Sequence, residues 1–142
     1  MECIFCKIVN KEIPAKIIAE NKGAIAFLDV NPVSDGHTII IPKKHFMNLS
    51  QCSDEYLADV INLTKIVSKN IQDSFLKPWG INYLSNEGNI AGQEIMHFHI
   101  HVIPKYGKDE GFKIGIGNKY LGNIDKIYNE LKEANLSNKK TL

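Results

Sequence analysis

A run in the second half of the chain, Met96–Pro104, constrains the fold more than any other stretch. His97, His99 and His101 alternate in it with apolar residues, which predicts a strand with the three imidazoles on one face and a core on the other. Same-face neighbours on a strand lie about 6.5–7 Å apart. A single atom would not bind all three, so the row predicts separate roles, a chance cluster of structural histidines being the alternative. Pro104, which lacks an N–H, is expected to close the strand or lie at an edge.

Composition narrows the class of protein. The 142 residues are 44% hydrophobic and 23% charged, with a formal net charge of +1. These values are ordinary for one globular domain, expected here over 1–142. The small net charge argues against a nucleic-acid polymer as partner, and no apolar run is long enough for a membrane span. Three cysteines argue against a secreted disulfide framework. The sequence therefore predicts a cytoplasmic protein.

The remaining segments predict an α+β fold. Strands are expected at 16–20, 24–30, 37–42 and 81–85, besides the histidine run. A long helix is expected to begin after Ser53 and to end at the break 78–80, and a second helix to begin near Ile124 and fray from Ser137. The core-facing stripe of the long helix is Leu57, Val60, Ile61, Val67, Ile71 and Phe75. The expected architecture is an antiparallel sheet of about five strands with one long helix packed across it and a C-terminal helix.

Several short motifs follow one another in a fixed order. They are Gly36-His37, His45, Asn86-Glu87-Gly88, Ala91-Gly92-Gln93 and His97-x-His99-x-His101. This order resembles the histidine triad (HIT) family, in its Hint-like and bacterial branch, over about 3–112, which leaves 113–142 as a C-terminal extension. Motifs spread over most of a chain are more specific than one short pattern. The resemblance implies a HIT-like fold and a homodimer in which strands and the long helix of two subunits meet.

The resemblance also implies an activity. HIT proteins of this branch are nucleotide hydrolases or transferases that act on the α-phosphate of purine nucleoside phosphoramidates or dinucleoside polyphosphates. His99 matches the histidine that attacks phosphorus and forms a covalent nucleotidyl-imidazole, a reaction suited to a neutral imidazole. His101 and His37 match the flanking pair that binds phosphate oxygens and holds His99. For His37, a structural role at the start of a strand is the alternative.

The same resemblance implies partners for the phosphate. Gly92 and Gln93 lie in a loop whose backbone N–H groups can approach an anion, and Asn86 offers an uncharged amide donor. Glu94 stands where many relatives carry a hydroxyl residue that donates to the phosphate. An ionised carboxylate cannot donate, so no phosphate contact is expected of Glu94.

The nucleoside has its own predicted site. Asp29 matches the residue that binds the ribose hydroxyls, since a carboxylate can accept from both; a turn-forming aspartate after a strand is the alternative. The apolar walls of the base pocket match Ile4, Phe5, Ile8, Phe27 and Val30. Taken singly, each of these could equally be ordinary core.

A second site is predicted at Cys3-x-x-Cys6, because thiolates at this spacing form half of a common zinc site. In zinc-carrying HIT relatives the other ligands match His45 and His97, which implies a closed, structural Zn²⁺ site that holds the N-terminus against the sheet. The alternatives are a redox pair, which normally follows a strand in a βαβ unit, and two free thiols. Cys52 has no predicted role.

These observations leave three classes of function. The leading hypothesis is a zinc-containing HIT hydrolase. The others are a nucleotide-binding regulatory module whose turnover is incidental and a metal or redox module built on the cysteines and histidines.

Overall fold

The structure, a computed structural model, describes residues 2–119 and 121–140. The longer elements, in chain order, are α1 Ile4–Val9, β1 Ile17–Glu20, β2 Ala24–Leu28, β3 Thr38–Pro42, α2 Asp54–Asp73, β4 Gly80–Leu84, β5 Ile100–Lys105 and α3 Ile124–Lys140. The strands form one antiparallel sheet in the order β1-β2-β3-β5-β4. The predicted α+β class, with five strands, one long helix and a C-terminal helix, is confirmed.

The central strand β3 is buried over its whole length because both faces of the sheet are covered. Ile40 packs in a core beneath α2, whereas Ile39 and Ile41 pack in a second core beneath α1. Because successive side chains of a strand point to opposite faces, the three isoleucines are divided between these two cores. The face covered by α1 carries the histidines discussed below.

The histidine run is only partly a strand. β5 begins at Ile100, and His97 and His99 lie in the irregular segment that leads into it, so the prediction of a strand from Met96 is wrong. The backbone of this segment bonds outside the sheet: Phe98 N–H donates to the Phe46 carbonyl at 2.6 Å, and Ser85 Oγ donates to the His99 carbonyl at 2.8 Å. The side chains still alternate between the two faces of the sheet, as the burial of Phe98, Ile100 and Val102 beneath α2 shows.

Of the two positions expected for Pro104, the end of the strand is wrong, because Pro104 lies within β5 and pairs with Ile81 of β4, whereas an edge position agrees with the pairing. Pairing of β5 with β3 stops at Thr38 and Val102. Beyond Val102 the strand therefore has a partner on one side, where a missing N–H is tolerated.

The long helix α2 begins directly after Ser53, as predicted, although the Ser53 side chain makes no capping hydrogen bond. It ends at Asp73, earlier than predicted, because Ser74 Oγ bonds the Ile71 carbonyl and also accepts from Leu76 N–H. Leu76 then packs against the core.

Two members of the predicted stripe are consequently not core residues. Phe75 lies beyond the end of α2 with 90% of its surface exposed, and Ile61 is 48% exposed. Leu63 is buried instead.

Residues 106–119 and 121–123 form neither helix nor strand. α3 continues to Lys140, so the predicted fraying from Ser137 is wrong up to that residue, and positions 141–142 lie outside the described residues. Every side chain described on α3 is exposed. None of the described helices has the length and hydropathy that crossing a bilayer requires.

Candidate functional site

Two clusters of side chains meet on the α1 face of the sheet. The first consists of Cys3, Cys6, His45 and His97, whose ligand atoms all lie within 4.8 Å of one another. Cys3 caps the N-terminus of α1 and Cys6 lies one turn later, with its N–H 3.4 Å from Cys3 Sγ. His45 follows β3, and His97 precedes β5. The fold thus brings the four predicted metal ligands together.

The distances within this cluster fall within or about 0.2 Å below those of a tetrahedral metal site. His97 Nδ1 lies 3.4 Å from Cys3 Sγ, 3.6 Å from Cys6 Sγ and 3.1 Å from His45 Nδ1, and Cys6 Sγ lies 3.3 Å from His45 Nδ1. Around a tetrahedral zinc ion, ligand atoms would be separated by about 3.3–3.8 Å. Two thiols and two imidazoles are also a donor set that zinc prefers. These four residues can therefore hold a metal ion.

The protonation of His97 fits this role. Its Nε2 lies 3.0 Å from the Pro42 carbonyl oxygen, which can only accept, so Nε2 carries the proton and Nδ1 keeps its lone pair. His97 is fully buried, and the loss of solvation lowers its pKa to about 4, which keeps it neutral at pH 7. The backbone therefore presents Nδ1 to the two cysteines.

The second cluster contains the histidine predicted to be the nucleophile, His99, and the two predicted to flank it, His37 and His101. His99 Nδ1 lies 2.7 Å from the His97 carbonyl oxygen, so Nδ1 is the donor and the lone pair is on Nε2. Burial lowers the pKa of His99 as well. Phe5 of α1 packs edge-on against the His99 ring, with centroids 5.1 Å apart. The result is a neutral, oriented imidazole whose Nε2 has no hydrogen-bond partner among the described residues.

His37 and His101 form a chain of hydrogen bonds with a defined direction. Val33 N–H donates to His37 Nδ1 at 3.2 Å, so the proton of neutral His37 is on Nε2. That Nε2 lies 2.9 Å from His101 Nδ1, which must then accept, and the proton of His101 is on its own Nε2. Burial lowers the pKa of His37 and brings that of His101 to about 4. His101 therefore keeps Nε2–H as a donor.

Asp29 lies beside this pair. Its Oδ2 is 3.5 Å from His37 Nε2, while Oδ1 accepts from Asn31 N–H at 2.8 Å. Asp29, His37 and His101 also lie close enough to share a metal ion. The tautomer chain argues against that, because the His37 nitrogen nearest the other two carries a proton. Asp29 thus makes the hydrogen bond expected of a turn-forming aspartate through Oδ1, and its Oδ2 takes no part in the turn.

The clusters border a cavity of about 440 Å³. Seven predicted site residues line it besides His99 and His101, namely Ile4, Phe5, Ile8, Phe27, Asp29, Val30 and Gly92. Phe5, Ile8 and Phe27 are also buried in the core beneath α1, whereas Val30 is 82% exposed. Core and cavity wall are therefore the same residues on this side of the sheet.

The loop 86–93 differs from the sequence expectation. The N–H groups of Gly92 and Gln93 donate to the carbonyls of Asn89 and Gly88, so in this conformation neither is available to an anion. The buried Gln93 side chain donates to the carbonyls of Met47 and Ile95. Gln93 therefore holds the loop in place.

Asn86 lies next to this turn. Gly92 has a φ of +103°, and a Cβ there would come within 3.0 Å of the Asn86 amide nitrogen. Both the backbone conformation and the close amide therefore require glycine at this position.

The residues that sequence reasoning missed act through their backbone. The carbonyl of Pro42, the N–H of Val33 and the carbonyl of His97 determine the histidine tautomers. Every residue carries such groups, so no residue type signals them. Ile95 also lines the cavity, where no prediction placed it, and so does Glu94, of which no phosphate contact is expected.

Comparison with known proteins agrees with this arrangement. The family model described as "HIT domain" matches residues 10–108. The chain is 44% identical over 115 residues to a Schizosaccharomyces pombe protein named adenosine 5'-monophosphoramidase, covering 81% of this chain and 83% of that protein.

Solved structures give the same assignment. A member of the HIT family from Bacillus subtilis superposes with a TM-score of 0.83 at 34% identity, covering 94% of this chain and 95% of that one. A zinc-bound histidine triad family protein from Mycobacterium smegmatis has a TM-score of 0.73 at 32% identity, covering 82% and 85% of the two chains. With the family model matching most of its length, the chain belongs to the histidine triad (HIT) family.

Proposed function

We propose that this protein hydrolyses or transfers the nucleotidyl group of purine nucleoside phosphoramidates or dinucleoside polyphosphates, with His99 as nucleophile. The observation that carries the proposal is the hydrogen bond from His99 Nδ1 to the His97 carbonyl. It leaves the Nε2 lone pair of a buried, neutral imidazole at a cavity of suitable size for a nucleoside monophosphate. The name of the Schizosaccharomyces pombe relative supports the phosphoramidate class.

The proposed reaction has two steps. His99 Nε2 attacks phosphorus as the bond from phosphorus to the leaving group breaks; the leaving group keeps the electron pair, and an amine takes a proton from solvent. The adduct on His99 is cationic, so its Nδ1–H bonds the His97 carbonyl more strongly than before. Water then attacks phosphorus, the phosphorus–nitrogen bond returns its electrons to Nε2, and the proton of the water goes to solvent.

The other residues bind and orient the substrate. We assign His101 Nε2–H to a phosphate oxygen, with His37 fixing the tautomer of His101 through their 2.9 Å contact. Asp29 Oδ2 accepts from the ribose hydroxyls, and the apolar walls contact the base. Asn86, Gly92 and Gln93 shape the loop at the phosphate side of the cavity.

We further propose that the first cluster binds one Zn²⁺ in a structural role. All four positions of a tetrahedral ion would be filled by Cys3, Cys6, His45 and His97, which leaves none for substrate. The zinc-bound Mycobacterium smegmatis structure supports this assignment. Bound zinc would hold the two thiols as thiolates, and the described cysteines are all unpaired, which suits a protein that works in the cytoplasm.

We also propose a homodimer. β4 ends the described sheet, and beside it the outer face of α2 exposes Ile61 and Ile66 while Tyr83 on β4 is 55% exposed. A second copy would cover this apolar surface and the free strand edge. Light scattering, which gives the molar mass in solution, tests this on wild type and Ile61→Glu. We expect a dimer for wild type and a weakened dimer for the variant; a monomeric wild-type protein would contradict the proposal.

Trapping the intermediate tests the proposed reaction. The protein is mixed with a substrate labelled at the α-phosphate, and the reaction is quenched rapidly without acid. The protein should then carry the label, and peptide mapping should place the label on His99. A label on another histidine would reject the assignment. Tight nucleotide binding with neither label nor turnover would favour the regulatory module instead.

A further inference from the structure

The carboxylates and lysines of the chain are unevenly placed around the cavity, whose described lining residues include carboxylates but no lysine. Asp29 and Glu94 are its acidic residues, and no lysine of the described chain lines it. The chain has no arginine, since all 17 of its basic residues are lysines. Arginine is the side chain that binds a phosphate through two parallel hydrogen bonds. A site for a substrate with several phosphates would need such cations.

The carboxylate of Glu94 is not neutralised within the protein. The side chain is exposed, and it makes no ion pair or hydrogen bond with any residue in 2–119 or 121–140. Glu94 therefore presents a full negative charge to whatever enters the cavity.

The position of Glu94 places this charge on the phosphate side. The apolar residues that line the cavity come mainly from α1, residues 13–15 and β2, and Asp29 follows β2; Ile95 adds one apolar residue from the loop of Glu94. Glu94 comes instead from the loop that contributes Gly92 and leads to His99. A group attached to the α-phosphate and pointing away from the nucleoside would lie near this loop.

We propose that Glu94 is a specificity-determining residue that selects the leaving group by charge. It favours an amine leaving group that carries a further positive charge and disfavours leaving groups that carry phosphate or carboxylate. This inference rests on the proposed function and decides between its two substrate classes in favour of phosphoramidates.

Three adenosine phosphoramidates of matched length test the selection. Their leaving amines are 1,4-diaminobutane, which keeps a terminal ammonium, butylamine, which is neutral, and 4-aminobutyrate, which keeps a carboxylate. For wild type, kcat/KM should fall in that order, by roughly tenfold from first to last, as expected for one partly solvated charge pair. The ratio should shrink at high salt because the charge is exposed.

Variants locate the effect. Glu94→Gln should bring the three values close together, and Glu94→Lys should invert their order. The control Glu133→Gln removes the same charge from α3, outside the cavity, and should leave the wild-type ratio unchanged. The rate with the butylamine compound is measured for each variant and the other two rates are divided by it, so that a general effect of the substitution on turnover cancels from the comparison.

The outcomes separate the two proposals. If wild type cleaves none of the three compounds and no dinucleoside polyphosphate, the proposed function is rejected; if it cleaves only dinucleoside polyphosphates, the function stands and the role of Glu94 is rejected. If it cleaves the three compounds with a ratio that Glu94→Gln and Glu94→Lys leave unchanged, the function stands and the role of Glu94 is rejected.

Discussion

His97 and His99 are two residues apart, both buried and both neutral, yet their surroundings prepare them for different chemistry. In His97 a carbonyl binds Nε2 and leaves Nδ1 among the cysteines; in His99 a carbonyl binds Nδ1 and leaves Nε2 for the cavity. The residue type is the same, but the main chain occupies a different nitrogen in each ring. For His97 and His99, the occupied nitrogen determines which lone pair is directed at the cysteines and which at the cavity.

Replacing His99 by asparagine should produce the largest effect. Turnover should fall at least about 10³-fold, the scale expected when a covalent catalyst loses its nucleophile. Nucleotide affinity should fall much less, because base, ribose and most phosphate contacts come from other residues. Single-turnover kinetics and calorimetry measure the two separately.

The metal content of His99→Asn should stay at the wild-type value, which makes it the control for the comparison. If this variant turned over normally, or lost its metal, the two histidines would not have the separate roles assigned to them.

Replacing the other histidine, in His97→Ala, should lower the stability of the fold more than it lowers the rate of turnover. Elemental analysis should find close to one zinc per wild-type chain and little in this variant or in Cys3→Ser. The melting temperature should fall by roughly 5–10 °C or more, since a structural metal stabilises only the folded state. Cys52→Ser, which changes a thiol outside the cluster, is the control. Wild-type protein without zinc, with Cys3→Ser melting normally, would show that the cluster does not hold a structural metal.

Asp29→Ala should produce a smaller effect, confined to the nucleoside. Nucleotide binding should weaken by roughly tenfold, the scale of lost hydrogen bonds to a charged group, while inorganic phosphate or sulfate should bind as before. Calorimetry with both ligands checks the split. An equal loss for both would mean that Asp29 supports the loop through its contact with Asn31 instead of binding ribose.

The smallest expected effect is a pH dependence from His101. Its pKa is about 4 in the folded protein, mainly through burial and then through His99 and His37, while Asp29 acts in the opposite direction. The unfolded chain has a value near 6.5. Between these two values the unfolded chain binds a proton that the folded one does not, so stability is lost as the pH falls from about 6.5 to about 4.

His101→Gln should show a shallower loss over the same pH window. Chemical denaturation of both proteins at several pH values measures it, and the difference between the two removes effects of the metal site, which both retain. Parallel curves would mean that His101 titrates alike in the folded and unfolded chains.

The fold could be predicted largely from side-chain pattern. Alternation in the histidine run assigns residues to the correct faces even where, as at Phe98, the segment is not a strand. The start of β5 could not be predicted, because it depends on the backbone bond from Phe98 to Phe46, which joins residues distant in sequence.

The site was predicted less completely, for a related reason. Cys3, Cys6, His45 and His97 are distinctive residue types, and the structure brings them together. The carbonyls of Pro42 and His97 and the N–H of Val33 belong to no distinctive type, so the tautomers they determine needed the structure.

The six residues of α1 have a further consequence. A helix of this length is not stable alone, yet it carries Cys3 at its cap and Cys6, as well as Phe5 and Ile8 of the cavity wall. A metal ion that fixes the cysteines would thereby fix the wall, and a nucleotide that packs on the wall would favour the bound metal. By thermodynamic reciprocity each ligand would raise the affinity for the other by the same factor.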